Sequence, residues 1–340
     1  MSVQRPNAMA SFEIPTISFV LPVHNEAGNL DELYHRLVKT MDELGDSFEI
    51  LLVDDGSSDE SLRVMKTIRG HDVRVKLVAF SRNFGHQAAI TAGLDLARGE
   101  AAIVMDADLQ HPPETVPALI SRWREGFEIV NAVRVDRSGE TFFKRLTARM
   151  FYWLLCRLSH VEMAPNVGDF RLIDRSALDA FKSMRESTRY LRGMFSWVGF
   201  RQTTVPYDYR DRYMGEAKYN FRRMLALGIN GLVSFSNAPL EFALHVGFVV
   251  AALSFLAGIG DLVAKVASVE TVPGWLSIAI MVSFLGGMQL LILGVMGTYM
   301  SRMYEEVKNR PLYIVRETDG IDVDARPIAR SHVVGVDSIR

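Results

Sequence analysis

Residues 103–114 read Ile103-Val104-Met105-Asp106-Ala107-Asp108-Leu109-Gln110-His111-Pro112-Pro113-Glu114, or IVMDADLQHPPE. A short apolar run ends in two carboxylates one residue apart, and two prolines close the segment. Preceded by Ala101, the run has the length of a buried strand, so Asp106 and Asp108 sit at its end. Two adjacent buried carboxylates repel each other. A hard divalent cation with oxygen ligands, Mg²⁺ or Mn²⁺, removes that penalty and takes phosphate oxygens and waters to complete its shell. An isolated Asp-x-Asp is more often a turn or a helix N-cap, so the neighbouring segments decide the reading.

Working outward, the first 135 residues alternate strand and helix patterns. Ile17 to Pro22 is an apolar run ended by Pro. Leu30, Leu33, Tyr34, Leu37, Val38, Met41 and Leu44 recur at helical spacing. FEILLV (48–53) runs into DDGSSD (54–59). Leu62 to Ile68 reads as helix, Val75 to Phe80 as strand, His86 to Ala97 as helix, Ala101 to Met105 as strand and Glu128 to Val133 as another. Near-continuous apolar strands separated by helices predict a parallel sheet covered on both faces. Ligands bind such sheets at the carboxyl ends of the strands. Three polar clusters fall there: Val23-His24-Asn25-Glu26, Asp54-Asp55-Gly56-Ser57 and Asp106-Ala107-Asp108.

Other phosphate and metal motifs are absent. The sequence has no GxxxxGK(S/T), no GxGxxG after the first strand and no HExxH.

The whole chain has 340 residues, 49 % of them hydrophobic, and a net charge of −2. That balance suggests a soluble portion joined to a membrane portion. It carries no sign of nucleic acid, which is not an expected partner. The single Cys156 excludes an intrachain disulfide. The N-terminal stretch lacks an apolar core of signal-peptide length, so the soluble part is expected in the cytoplasm.

Two apolar stretches, about 239–264 and 275–300, each exceed the roughly 20 residues that cross a bilayer as a helix. Lys218, Arg222, Arg223, Arg302, Lys308 and Arg310 lie outside the pair, and only Lys265 lies between them. The positive-inside rule then puts both termini in the cytosol of a cytoplasmic-membrane protein. The expected organisation is an N-terminal extension (1–14), a cytosolic α/β domain (15–218), an amphipathic interfacial helix (219–235), the two spans (236–300) and a cytosolic tail (301–340), loosely ordered beyond about Glu317. A second amphipathic helix is expected over 142–158. Gly286, Gly287, Gly294 and Gly297 permit close packing of the second span, so a homo-oligomer is expected.

FVLPVHNEAGNL, ILLVDDGSSDES, SRNFGHQAAITAGL and VMDADLQHPPE together resemble glycosyltransferase family 2. VGDFRLIDR and DRYMGEAKYNFRRML, followed by two spans, resemble its polyprenyl-phosphate hexosyltransferases, particularly the bactoprenol glucosyltransferase branch and, beside it, dolichyl-phosphate mannose synthase. The resemblance covers about residues 15–312.

It implies a GT-A fold: a Rossmann-like, mostly parallel α/β catalytic domain, followed by interfacial helices and two transmembrane helices. It implies an inverting transfer of hexose from a nucleotide sugar, UDP-glucose by first reading, to polyprenyl (undecaprenyl) phosphate at the cytosolic membrane face. GDP-mannose, UDP-GlcNAc, UDP-galactose or an aminoarabinose derivative stay open as donors. Asp106, Asp108 and Gln110 would hold Mg²⁺ or Mn²⁺. Pro22, His24, Glu26 and Ala107 would line the nucleotide pocket. Asp54 or Asp55 would meet the base or ribose, and Asn83 would touch the nucleotide or form a turn. Arg134, with Arg145 or Arg149, would bind the acceptor phosphate. Asp169 and Arg171 would shape the sugar or phosphate pocket. Arg212 and Lys218 would lie near the diphosphate, with Gly215 letting their loop bend over the site. Asp108, Arg134, Arg212 and Lys218 would carry catalysis. An ionised acceptor needs no general base, so none is assigned to His24, His86 or His111. The resemblance also suggests a cell-envelope role such as modification of lipopolysaccharide O-antigen. A processive polysaccharide synthase would carry QxxRW, which is absent, and a non-catalytic scaffold has no need of adjacent acids.

Overall fold

The computed structural model describes residues 14–135, 167–187, 189–208, 238–266 and 274–321. Those residues fall into two units, each treated separately below: one draws on 1–141, 162–218 and 311–340, the other on 142–161 and 219–310. The expected interfacial helices at 142–158 and 219–235 lie outside the described residues, as do Arg145, Arg149, Arg212, Gly215 and Lys218.

The first unit is built on β1 (Ile17–Val23), α1 (Leu30–Leu44), β2 (Phe48–Asp54), α2 (Ser61–His71), β3 (Val75–Phe80), α3 (His86–Leu96), β4 (Ala101–Val104), α4 (Val116–Arg124), β5 (Ile129–Arg134), β6 (Val167–Asp174), α5 (Arg175–Ser183), α6 (Leu191–Trp197), β7 (Gln202–Tyr207) and β8 (Val315–Asp319). The described strands make one sheet in the order β7-β5-β6-β4-β1-β2-β3-β8. β4, β1, β2 and β3 run parallel, as the alternating pattern predicts. β6 and β8 run antiparallel to their neighbours.

Every residue of β1 and β2 is buried, which is why they read as nearly continuous apolar runs, interrupted by Ser18 in β1 and Glu49 in β2. α1 lays Leu30, Leu33, Leu37 and Met41 on the sheet at three- and four-residue spacing. Burial of each contributes about 1.5–3 kcal/mol. α3 is buried along most of its length. Gly93 permits this, because a Cβ there would lie 2.3 Å from Val20 Cγ1.

Chain order reverses between β1 and β4, where a doubly wound sheet opens a crevice at its carboxyl edge. Pro22 sharpens that opening. The expectation that Pro22 ends the first strand is corrected: β1 continues to Val23, with Pro22 opposite Val53 and Val23 opposite Asp54. The ladder to β4 stops at Val20 and Val104, and Met105 N–H still reaches Val20 O at 3.2 Å. Proline lacks a ladder donor, and it sits where pairing on the β4 side has already ceased.

Of the tail expected to be loosely ordered beyond about Glu317, the first residues are corrected, since β8 runs to Asp319, and 322–340 lie outside the described residues. Leu77, Val78 and Ala79 of β3 pair with Asp319, Thr318 and Glu317 of β8. Ion pairs from α2 hold the outer strand, Lys66 to Glu317 at 2.5 Å and Arg69 to Asp319 at 3.3 Å. The segment is polar because an edge strand has one face on charged helix side chains.

The second unit contains α7 (Ala238–Val266) and α8 (Trp275–Val307), which pack on each other. Both begin near the expected spans, and α8 runs seven residues past the expected end at 300. Among the described residues, one stretch is long and apolar enough to cross a membrane by length and composition, the 24 residues Phe284–Val307. Two spans are therefore not established by these helices.

Candidate active site

The three strand-end clusters meet at the carboxyl edge. After β1, Asn25 takes a left-handed conformation with φ 59°. Its side-chain oxygen accepts Ser58 N–H at 2.8 Å, and its own N–H donates to Ser57 Oγ at 3.1 Å. Glu26 N–H donates to Ser61 Oγ at 2.9 Å, and its carboxylate accepts Asn29 Nδ2 at 2.6 Å. The turns after β1 and β2 thus interlock. Gly56 is needed between them: its φ is +64°, and a Cβ would lie 2.5 Å from the Arg82 carbonyl carbon.

Asp54 and Asp55 have different partners. Asp54 Oδ1 accepts Ser57 N–H at 3.1 Å, while its buried Oδ2 has no hydrogen-bond partner among the described residues. Asp55 turns to the β3–α3 loop, accepting Phe84 N–H at 2.7 Å and Gly85 N–H at 3.0 Å. Burial raises the Asp55 pKa above the ordinary carboxylate value, against the opposing pull of those two amides. His24 Nδ1 lies 3.0 Å from Asp55 O. A carbonyl only accepts, so Nδ1 donates. Nε2 is then an acceptor, 3.3 Å from Asn83 Nδ2. His24 is exposed and Pro22 is buried beneath it.

The same loop delivers His86 to the third cluster. His86 Nε2 lies 3.3 Å from Asp106 Oδ1 and 3.7 Å from Asp169 Oδ2. Arg192 of α6 completes the chain, its Nε 3.1 Å from Asp169 Oδ1. Burial alone would lower the His86 pKa, but the Asp169 bond and the charges of Asp106 and Asp169 raise it. Burial would raise Asp169, yet His86 and Arg192 hold it well below the usual carboxylate range.

Asp108 is buried and its Oδ1 accepts Gln110 N–H at 3.1 Å. Ala107 is buried with it. Glu114, the last residue of the motif, receives a forked pair of bonds from Arg36 of α1, at 2.9 and 2.6 Å.

Arg171 is 2 % exposed and donates to Gly168 O at 2.7 Å. Burial pushes its pKa down to about 10. It packs over the Phe195 ring, behind Asp169, rather than opening on solvent. Arg134 ends β5 and is exposed.

Sequence reasoning did not find His86 or Arg192 as parts of the site. A histidine after a glycine at a strand-to-helix turn was the available signal for His86. Arg192 carries no sequence signal, because its partner Asp169 is set by the antiparallel β6.

The residues fit a divalent cation shared with a diphosphate. Asp106 Oδ1 is buried and accepts no hydrogen bond among the described residues, although His86 Nε2 faces it at 3.3 Å. No group of three or more His, Cys, Asp or Glu converges as a metal cage among the described residues. Mg²⁺-type sites need only one or two carboxylates when phosphate oxygens supply the rest.

Comparison with known proteins places the chain. The description "Glycosyl transferase family 2" matches residues 18–181. An uncharacterized glycosyltransferase, YkcC, of Bacillus subtilis (strain 168) is 45 % identical over 90 % of this chain and 94 % of its own. A prophage-derived bactoprenol glucosyl transferase of Shigella flexneri is 38 % identical over 89 % of this chain and 98 % of its own. A glucosyl-3-phosphoglycerate synthase of Mycobacterium tuberculosis, solved with Mn²⁺, UDP and phosphoglyceric acid, is 18 % identical over 64 % of this chain and 76 % of that one, with a TM-score of 0.45. A likeness that distant bears on neither substrate nor metal. The family match on the sheet that carries the site, and relatives similar along nearly their whole length, lead to one conclusion: the chain is a glycosyltransferase and belongs to glycosyltransferase family 2.

Proposed function

We propose that this enzyme transfers a hexose from a nucleotide sugar, UDP-glucose by preference, to polyprenyl (undecaprenyl) phosphate at the cytosolic face of the cytoplasmic membrane. The observation that carries this reading is the convergence of the β1, β2 and β4 strand-end acids in one crevice, in a chain 38 % identical to a bactoprenol glucosyl transferase. α7 and α8 would anchor the domain beside its lipid substrate.

Asp106 and Asp108, with Gln110, would hold Mg²⁺ or Mn²⁺. When bound, the cation would offset the charge developing on the departing nucleotide diphosphate. The protein's own groups do the rest. His24, Glu26, Asn83 and the turn at 54–57 form the wall against which the nucleotide lies. Asp169, with Arg171 behind it, borders the sugar. Arg134, with Arg145 or Arg149, would orient the lipid phosphate through forked hydrogen bonds. Arg212 and Lys218 would close on the diphosphate. The lipid phosphate is already ionised and needs positioning, not a base. In-line attack at the anomeric carbon inverts it, giving a β-linked product from an α-linked donor.

The test uses the full chain in detergent with undecaprenyl phosphate, Mn²⁺ or Mg²⁺ and radiolabelled UDP-glucose. A labelled, organic-extractable lipid is expected, and Asp108→Ala should abolish it while the thermal unfolding profile is kept. Transfer from another sugar nucleotide but not UDP-glucose would change the donor. No transfer from any of them to the lipid would overturn the proposal.

A further inference from the structure

His111 lies inside the Asp-x-Asp turn's own hydrogen-bond circuit. The main-chain N–H of Asp106 donates to His111 Nδ1 at 2.9 Å. An N–H only donates, so Nδ1 carries no proton and the ring's proton sits on Nε2. The 3.7 Å approach of Nδ1 to Asp106 Oδ2 is therefore not an ion pair. The ring itself is held from the opposite side of β4. It is 6 % exposed, stacked on Phe170 of β6 with centroids 4.9 Å apart and planes 20° apart. Tyr207 of β7 meets its edge at 6.0 Å and 82°.

Between these tied ends the backbone is strained. Leu109 has φ 64°, in the left-handed region that a branched apolar residue rarely adopts. Such a conformation persists only where its surroundings over-determine it. Three features do so here. The Leu109 side chain is buried in the main core. Asp108 Oδ1 accepts Gln110 N–H at 3.1 Å. His111 then closes the turn onto Asp106. Without that last tie, the Leu109 backbone is free to relax, and the Asp106-to-Asp108 spacing goes with it.

We infer that His111 is a positioning residue for the donor site: its unprotonated Nδ1 closes the strained 106–111 turn and fixes the two carboxylates for a divalent cation. The inference rests on the metal reading given above. A ring that merely fills space between Phe170 and Tyr207 would have no need of the Nδ1 acceptor.

Two variants separate the roles. His111→Phe keeps a stacked ring and removes the acceptor. His111→Asn keeps an acceptor near the Nδ1 position and removes the ring. Mn²⁺ binding to the full-length protein in detergent, with UDP present, is followed by electron paramagnetic resonance, beside thermal unfolding in chelator. His111→Phe should unfold near the wild-type temperature and bind Mn²⁺ roughly 10-fold or more weakly, the scale of lost outer-shell support. His111→Asn should unfold earlier yet bind Mn²⁺ more tightly than His111→Phe. Wild-type Mn²⁺ affinity in His111→Phe, or weaker binding in His111→Asn than in His111→Phe, would overturn the inference. Asp108→Ala runs alongside. If it too binds Mn²⁺ like wild type, the metal reading fails; if it loses Mn²⁺ while His111→Phe does not, only the role of His111 fails. Should His111→Phe not fold, ¹⁵N-histidine NMR of the wild-type chain decides. An unprotonated Nδ1 with protonated Nε2 supports the inference, and the opposite tautomer overturns it.

Discussion

The Tyr313 hydroxyl donates to Asp95 Oδ2 at 2.9 Å, joining positions 218 residues apart in the chain. Asp95 also receives Arg185 Nη1 at 2.8 Å, and the Tyr313 ring stacks on Phe80 at 5.2 Å. The segment that follows α8 is thereby part of the catalytic sheet. Burial, then the Asp95 charge, push the Tyr313 pKa well above its ordinary value, so the hydroxyl stays a donor. Tyr313→Phe keeps the ring and leaves Asp95 bonded to Arg185. A loss of about 0.5–1.5 kcal/mol is expected, read by denaturant unfolding. Truncation before Pro311 removes β8 as well and should leave the β3 edge open to proteolysis and aggregation.

Gly93 tests the packing of α3 on β1. Its missing Cβ would lie 2.3 Å from Val20 Cγ1. Gly93→Ala must push helix from sheet, at a cost of roughly 1–3 kcal/mol for overpacking. Gly93→Ala with Val20→Ala should recover part of that loss. An unchanged unfolding midpoint in the single variant would contradict the packing.

Asp55 tests the coupling of two clusters. Its carboxylate holds Phe84 and Gly85 N–H, the amides just before His86. Asp55→Ala should weaken UDP binding about 10-fold, or by about 1.4 kcal/mol, measured calorimetrically. It should also loosen the 82–85 loop in hydrogen exchange. Protection unchanged at Phe84 and Gly85 would show that the loop does not depend on this acid.

Asp174 gives the pH test. It N-caps α5 by accepting Ser176 N–H at 2.8 Å and also accepts Trp123 Nε1 at 2.8 Å. Burial raises its pKa, but the Ser176 and Trp123 bonds outweigh that and leave it lowered. A depressed folded pKa means stability that is present above the unfolded value, about 3.9, and is lost as pH falls through the folded one. Asp174→Ala should cost about 0.5–2 kcal/mol at pH 7. The gap to wild type should close as pH drops below about 4, as followed by unfolding across pH 3–7.

What the sequence determined by itself was periodic or local. Buried parallel strands are apolar at nearly every position, Ser18 and Glu49 apart, so β1 and β2 are legible, and so are the acids that end them. α1 shows its buried stripe at helical spacing. Glycosyltransferase motifs are contiguous words, which is why the family could be recognised from 103–114 and its companions. Tertiary structure decided what depends on residues distant in sequence. The edge strand β8 is polar and short, and nothing local distinguishes it from a loose tail until β3 supplies its ladder. Asp54 and Asp55 are adjacent and chemically alike, and only the position of the β3–α3 loop separates their tasks. His86, His111 and Arg192 became site residues because β6 runs antiparallel beside β4, bringing Asp169 and Phe170 to the Asp-x-Asp turn. A side chain's partner is a property of the packed sheet, whereas its tendency to be buried is written in its own stretch of chain.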